Sequence, residues 1–209
     1  MSLSENFSTV KTILIFSRPY RHSSHPIMML SPHPRNVLKY CPKCGKKSFV
    51  YQENDSLLCD ACGFRFYINS SAAVAVLITD KQGRLLLTRR KFEPHQGMLD
   101  LPGGFVDVGE TGEEACIREI KEELALDIEK LHYKISVPNE YVYGGVMYFT
   151  LDLTFHAEIK DLNTLKAHDD VVEALFFSPE DINLNKIGAT SIRKIVQWFI
   201  DQSAKESID

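Results

Sequence analysis

The chain has 209 residues, 44% of them hydrophobic and 25% charged, with a formal net charge of −4. That length holds one medium domain and a small module, and the composition is that of a globular chain. The acidic balance argues against an extended nucleic-acid face, which needs clustered Lys and Arg. No apolar run reaches the roughly 18 residues a membrane helix requires. Phosphorylated small molecules stay open as substrates, because metal ions held by carboxylates present positive charge to phosphate. Residues 10–16 are interrupted by Lys11 and Thr12 and lack a secretory cleavage site, so the cytoplasm is the expected compartment.

Residues 1–37 are rich in Ser, Pro and His without sustained periodicity, and a disordered segment is expected there. Met28 and Met29 stand near its end, which leaves open a native start at that point. His22, His25 and His33 fit either metal binding or a flexible tail, and the tail is the expectation. Residues 38–68 hold few bulky apolar side chains, so a piece this short needs a staple. Cys41-Pro-Lys-Cys44-Gly and Cys59-Asp-Ala-Cys62-Gly supply one. Each pair aims two thiolates at one ion, and the following Gly permits the turn that points N–H groups at sulfur. Four thiolates suit tetrahedral Zn²⁺, and the pattern resembles a zinc ribbon; iron is the rival chemistry. A closed Cys₄ site has no open position for substrate, which makes the role structural. The fifth cysteine, Cys116, falls on an apolar helical stripe with Ile120 and Leu124 and is expected to pack in a core.

Residues 69–209 form the second expected domain. Residues 73–78 read as a buried strand, 80–83 as a turn, 85–88 as the returning strand and 94–97 as a loop. Thr111 and Glu114 form a capping box that starts a helix running to about Leu126. Strands follow near 133–137, 146–159 and 171–177. A last helix near 191–202 places Ile192, Ile195, Val196 and Phe199 on one face. Few helices and mostly antiparallel strands predict an α+β fold or an α/β/α sandwich.

On the first of these helices Glu119, Glu122 and Glu123 stand at i, i+3 and i+4 and share one face. Two readings fit: a solvated acidic face, or a Mg²⁺ or Mn²⁺ site in which cations neutralise crowded like charges. Ile117, Ile120 and Leu124 point elsewhere, so one face can be buried while the other holds metal.

The preceding glycine loop bears on that choice. From Gly104 through Glu110, Arg118, Glu119, Ile120, Glu122 and Glu123 to Leu126, the stretch resembles the Nudix box. That pattern is Gly, five residues, Glu, seven residues, then Arg-Glu-aliphatic-any-Glu-Glu-any-Gly-aliphatic. Ala125 stands where the family has Gly, a change that helix propensity favours. The resemblance implies a Nudix-type α/β/α sandwich with a mixed sheet and a magnesium-dependent hydrolase. It makes Glu119, Glu123 and Glu122 the side-chain ligands of two or more ions, with the Gly103 carbonyl as a main-chain ligand. Arg118 and Glu110 would pair to brace the loop. A further carboxylate from outside the box is expected as ligand or base; Glu173 is the choice, with Asp169, Asp170 and Glu140 as rivals.

A zinc ribbon ahead of such a domain is similar to the NADH pyrophosphatase group, over about residues 40–177. The Ser-Gln-Pro-Trp motif of that group is replaced here by Ser136-Val-Pro138-Asn139. The resemblance implies a pyrophosphatase acting on NADH, ADP-ribose or a related nucleotide, in a possible homodimer. Tyr141 and Tyr143 fit either stacking on a base or plain strand packing, and Phe105 joins them as a substrate candidate. Arg89 and Arg90 fit either phosphate contact or a solvated basic pair. The alternatives to this enzyme are a nucleotide-sensing binding module and a housecleaning pyrophosphatase for nucleoside triphosphates.

Overall fold

The computed structural model describes residues 31–206. His22, His25, Met28 and Met29 lie outside the described residues. The expected disorder does not extend through residue 37, because Pro34–Val37 is a short helix, α1, with Pro at its start. His33 caps it, accepting from the Arg35 N–H at 3.1 Å. The Pro32 carbonyl accepts from the Met147 N–H at 2.8 Å. The His33 ring meets the edges of Tyr51 at 5.8 Å and Phe149 at 5.6 Å. Residues 32–37 thereby join the ribbon to the second domain.

The ribbon is an antiparallel sheet of β1 (Phe49–Gln52), β2 (Ser56–Cys59) and β3 (Arg65–Tyr67). Its core consists of Cys41, Phe49, Leu57 and Cys59, with Leu38, Tyr51, Phe64 and Ile68 packed around them. A core this small is of the size that a metal or disulfide staple supports in other small modules.

The second domain contains β4 (Ser71–Ile78), β5 (Leu85–Arg90), β6 (Leu99–Asp100), α2 (Gly112–Leu124), β7 (Ile128–Tyr143), β8 (Val146–Ile159), β9 (Val171–Phe177) and α3 (Thr190–Glu206). One sheet has the order β4-β8-β7, with β4 parallel to β8 and β7 antiparallel to it. The other, β6-β5-β9, is antiparallel. β4 is buried on both faces, which is why it reads as an unbroken apolar run. Val74, Val76 and Ile78 join Cys116, Ile120 and Leu124 of α2, whereas Ala75 and Leu77 join Ile192, Ile195 and Val196 of α3. Helices on both faces of a mixed sheet give the expected α/β/α sandwich. Cys116 is fully buried, as its stripe predicted.

Two details differ from the sequence expectation. β7 runs from Ile128 to Tyr143 rather than over 133–137, because Gly144 and Gly145 take φ of 58° and 80° and fold it tightly onto β8. Pro138 is tolerated within β7 because this strand lies at the edge of its sheet. Ile117 is 52% exposed, so the buried stripe of α2 is narrower than the helical wheel suggested.

Both ends of α2 are fixed. The Thr111 hydroxyl accepts from the Glu114 N–H at 3.1 Å, and the Glu114 carboxylate accepts from the Thr111 N–H at 2.8 Å. At the other end Ala125 is the C-cap, with φ 56° and ψ 22°. It is not a helical residue, so helix propensity does not favour Ala there. The left-handed conformation, which disfavours any Cβ, explains why the family pattern has Gly. Ala125→Gly is therefore expected to raise the unfolding free energy by about 0.5–1 kcal/mol, after the entropic cost of Gly. A higher urea midpoint at unchanged slope would show it.

Candidate active site and metal centre

The loop between β6 and α2 lies against both neighbouring elements. The Val76 and Val74 N–H groups donate to the Pro102 and Gly104 carbonyls at 2.9 and 2.8 Å. Gly103 has φ 139°, and a Cβ on it would overlap the Val74 carbonyl. A Cβ on Gly104 would instead overlap the Glu119 carboxylate. The two glycines therefore serve different ends: Gly103 lets the loop lie on β4, and Gly104 leaves room for an acid.

Arg118 organises the acids. Its guanidinium holds Glu110 through two bonds of 2.9 Å, Glu119 at 2.8 Å and Glu122 at 3.3 Å, and donates to the Phe105 carbonyl at 3.0 Å. The bidentate pair with Glu110 is the brace that the sequence implied. The Arg118 guanidinium, with help from the Asp107 N–H, holds the Glu110 carboxyl below the usual carboxylate range. Burial pushes the Glu119 carboxyl up despite Arg118.

Glu123 is the most buried of these acids, at 5% exposure. It accepts from the Gly103 N–H at 3.0 Å and feels the charge of the Asp170 carboxylate. Burial, then the Asp170 charge, pushes its pKa up to about 9. Asp170 is carried there by the loop after β8. The His168 and Lys166 N–H groups donate to the Glu123 and Leu124 carbonyls at 2.8 and 3.0 Å, docking that loop on the end of α2. The Lys91 N–H fixes the Asp170 carbonyl at 2.8 Å. Glu119, Glu122, Glu123 and Asp170 are hard oxygen donors suited to a divalent cation, and their mutual repulsion calls for one. Among the described residues these acids do not close into one tight cage, unlike the cysteines. Glu119 and Glu122 instead lean on Arg118.

The four ribbon thiolates meet as the spacing predicted. Their Sγ atoms all lie within 4.8 Å of one another, with Cys41–Cys62 at 3.8 Å and Cys44–Cys59 at 3.6 Å. A tetrahedron with metal–sulfur bonds of about 2.3 Å has edges of about 3.8 Å, so these distances fit. Gly45 and Gly63, both at φ 71°, donate to the Cys41 and Cys59 carbonyls at 2.8 Å and make the two knuckles.

A cleft of about 760 Å³ opens beside the acids, lined by Gly103, Gly104 and Asp170 at one end. Four of the expected substrate residues, Arg90, Phe105, Tyr141 and Tyr143, line it. Arg89 does not: its Nε bonds Glu173 at 2.6 Å and its guanidinium also reaches the Gly97 carbonyl at 2.8 Å. Register explains the pairing, since Arg89 and Glu173 are cross-strand partners of β5 and β9. Glu173 is thus paired with Arg89, and Asp170 is the carboxylate from outside the stretch whose charge acts on Glu123. Sequence reasoning ranked Asp170 only as a rival. The adjacent left-handed residue, Asp169 at φ 51°, was the turn that no local motif marked. Thr150, Asp152 and the first turn of α3 also line the cleft, and Tyr148 stacks on the lining Tyr141; the strand residues among them are placed only by register.

The two glycines should separate fold from function. Gly103→Ala is expected to destabilise the chain by about 1–3 kcal/mol, from strain and the clash with backbone. Gly104→Ala should leave the melting temperature within a few degrees yet weaken Mn²⁺ binding, read by titration calorimetry.

Residues 69–199 match the family model described as NUDIX domain. An ADP-ribose pyrophosphatase of Methanocaldococcus jannaschii is 41% identical over 139 residues, 66% of this chain and 77% of that protein. A NAD-capped RNA hydrolase NudC of Pseudomonas entomophila is 25% identical over 162 residues, 78% of this chain; the match spans 56% of that protein, about half its length. A NUDIX hydrolase structure from Nitrosomonas europaea, 22% identical, shares the fold with a TM-score of 0.59 over 78% of this chain and 91% of that one. With the braced glycine loop, the acid-bearing helix and this match over most of its length, the chain belongs to the NUDIX family of hydrolases.

Proposed function

We propose that this chain hydrolyses the diphosphate of a nucleoside diphosphate linked to a second moiety, with ADP-ribose and NADH as the leading substrates. The observation that carries the reading is that Glu119 and Glu123 of α2 and the visiting Asp170 bear on one another beside the Gly103–Gly104 loop, at the end of a cleft sized for a nucleotide. The kinship with an ADP-ribose pyrophosphatase supports the substrate class. Mg²⁺ or Mn²⁺ held by these carboxylates and the Gly103 carbonyl would polarise the diphosphate and make water a better nucleophile. Arg118 and Glu110 keep the loop and helix in register, so the acids stay aimed at the cleft. Asp170 takes the part expected of Glu173. Water attacks one phosphorus, the P–O bond of the anhydride breaks, and two phosphate monoesters and a proton result. Arg90 and Phe105 bound the path of the nucleotide. Zn²⁺ in the Cys₄ site is structural, residues 38–68 forming the ribbon and 69–209 the hydrolase domain. Among the described residues no helix is long and apolar enough to cross a membrane. A cytoplasmic enzyme, as a monomer or homodimer, suits such chemistry.

Incubation with Mg²⁺ and a panel of NADH, NAD⁺, ADP-ribose, FAD, nucleotide sugars and dNTPs should release AMP from ADP-ribose or NADH. Glu123→Gln and Asp170→Asn should each lower kcat by about 100-fold or more, whereas Glu173→Gln should change it less than tenfold. Equal losses in Glu173→Gln and Asp170→Asn would reject the assignment of Asp170, and turnover of dNTPs alone would reject the substrate class. Elemental analysis should return one zinc per chain; iron in its place would overturn the zinc assignment. Stripping that metal should lower the melting temperature of the ribbon.

A further inference from the structure

The far end of the cleft is built by one face of β7 and β8. Register pairs Val137 with Asp152, Asn139 with Thr150 and Tyr141 with Tyr148 in succession. The outermost pair is stacked, with ring centroids 5.7 Å apart and an interplanar angle of 23°. Phe105 approaches Tyr141 from the glycine loop at 6.1 Å. On the other side β4 sets only Ala73 opposite Asp152, leaving the floor open above the carboxylate.

Asp152 is 6% exposed yet lines the cleft. A buried carboxylate is costly unless its acceptor sites are filled, and it offers about four of them. Among the described residues its hydrogen-bond partner is the Thr150 hydroxyl, at 2.7 Å. It has no ion pair there. Of the two arginines that line this cleft, Arg90 is spent on Asp100 at 2.7 Å and on the Pro94 carbonyl at 2.7 Å, and Arg193 donates to the Thr190 hydroxyl at 3.3 Å. Asp152 needs donors, and the open side from which they can come is the cleft. Packing alone would have favoured an apolar residue here, because the neighbouring Val137 and Ala75 belong to the α3-side core.

We propose that Asp152, held by Thr150, is a specificity-determining acceptor for hydrogen-bond donors of the substrate's nucleoside while its base lies against Tyr141. This rests on the nucleotide reading above. A purine amine and a ribose diol offer the same donor chemistry to a carboxylate, and analogues distinguish them. Phosphate, which lacks donors at neutral pH, is turned away from this end and towards the acids.

Steady-state kinetics of the full chain with Mg²⁺ test it, on ADP-ribose, its hypoxanthine analogue lacking the exocyclic amine, and its 2′-deoxyadenosine analogue. Asp152→Asn should raise KM for ADP-ribose about 10- to 100-fold at nearly unchanged kcat. For one of the two analogues the substitution should have much less effect, and that analogue names the missing donor. Thr150→Val, which loosens the carboxylate without removing it, should raise KM by a smaller factor and serves if the Asn variant folds poorly. A KM insensitive to both variants, or an equal loss on all three substrates, overturns the assignment. Wild-type chain that binds ADP-ribose in calorimetry without cleaving it overturns the hydrolase reading alone. Binding that then weakens in Asp152→Asn still supports the role of Asp152.

Discussion

The repulsion between Glu123 and its carboxylate neighbours is the constraint on which the rest of the site depends. Glu123 sits almost out of water, beside Asp170 and within range of the charge on Glu119. A single backbone N–H, from Gly103, faces its carboxylate. Arg118 is no help to it, because that guanidinium is distributed over Glu110, Glu119 and Glu122. Ionising an acid in such a place costs several kcal/mol without a counter-ion. The position is therefore a poor stability device, and that supports the proposed cation site over a merely solvated acidic face.

A site of this kind works only if the walls do not give. Relaxation would let the acids swing into solvent and lower their repulsion without metal. Here each wall is tied by backbone. The glycine loop is bonded to β4, α2 is closed at its start by the capping box, and its last carbonyls accept from Lys166 and His168. The same two bonds that finish the helix also deliver Asp170, so helix termination and site assembly are one event. Arg118 then ties Glu110, at the end of the loop, to the middle of the helix. Its several partners limit the freedom of Glu119 and Glu122, of which Glu122 is half exposed and Glu119 largely covered.

How much of this the sequence made legible depends on the range of the interaction. Local features were readable: the CxxC knuckles with their glycines, the Thr111–Glu114 box and the unbroken apolar run of β4 follow from spacing within one element or between adjacent ones, and the Arg118–Glu110 brace from the resemblance to the Nudix box. Features set by register were not. Arg89 and Glu173 looked like site residues in isolation, and only the β5–β9 pairing shows that they neutralise each other. Asp170 was visible only as one of several acids, because its position depends on a left-handed turn at Asp169 and on carbonyls of α2. Ala125 was misread for a related reason. Counted as the last helical residue it favours Ala; one position later, at a left-handed cap, it does not.

The same distinction accounts for the two ends of the cleft. The end proposed to handle phosphate is encoded in one contiguous stretch, 103–123, plus a single visiting acid, so it is recognisable by pattern. The end that would choose the nucleoside is written across β4, β7 and β8 in residues that form no motif: Ala73, Tyr141, Tyr148, Thr150 and Asp152. Reaction chemistry needs fixed charges at short range, which a loop and one helix can provide. Recognition of a nucleoside needs a platform and an edge, which only a sheet in register provides. Substitution along β7 and β8 can therefore change what the enzyme accepts while the metal-binding stretch is left untouched. The Ser136-Val-Pro138-Asn139 stretch, which stands where the NADH pyrophosphatase group has Ser-Gln-Pro-Trp, lies on β7 in that register-dependent part.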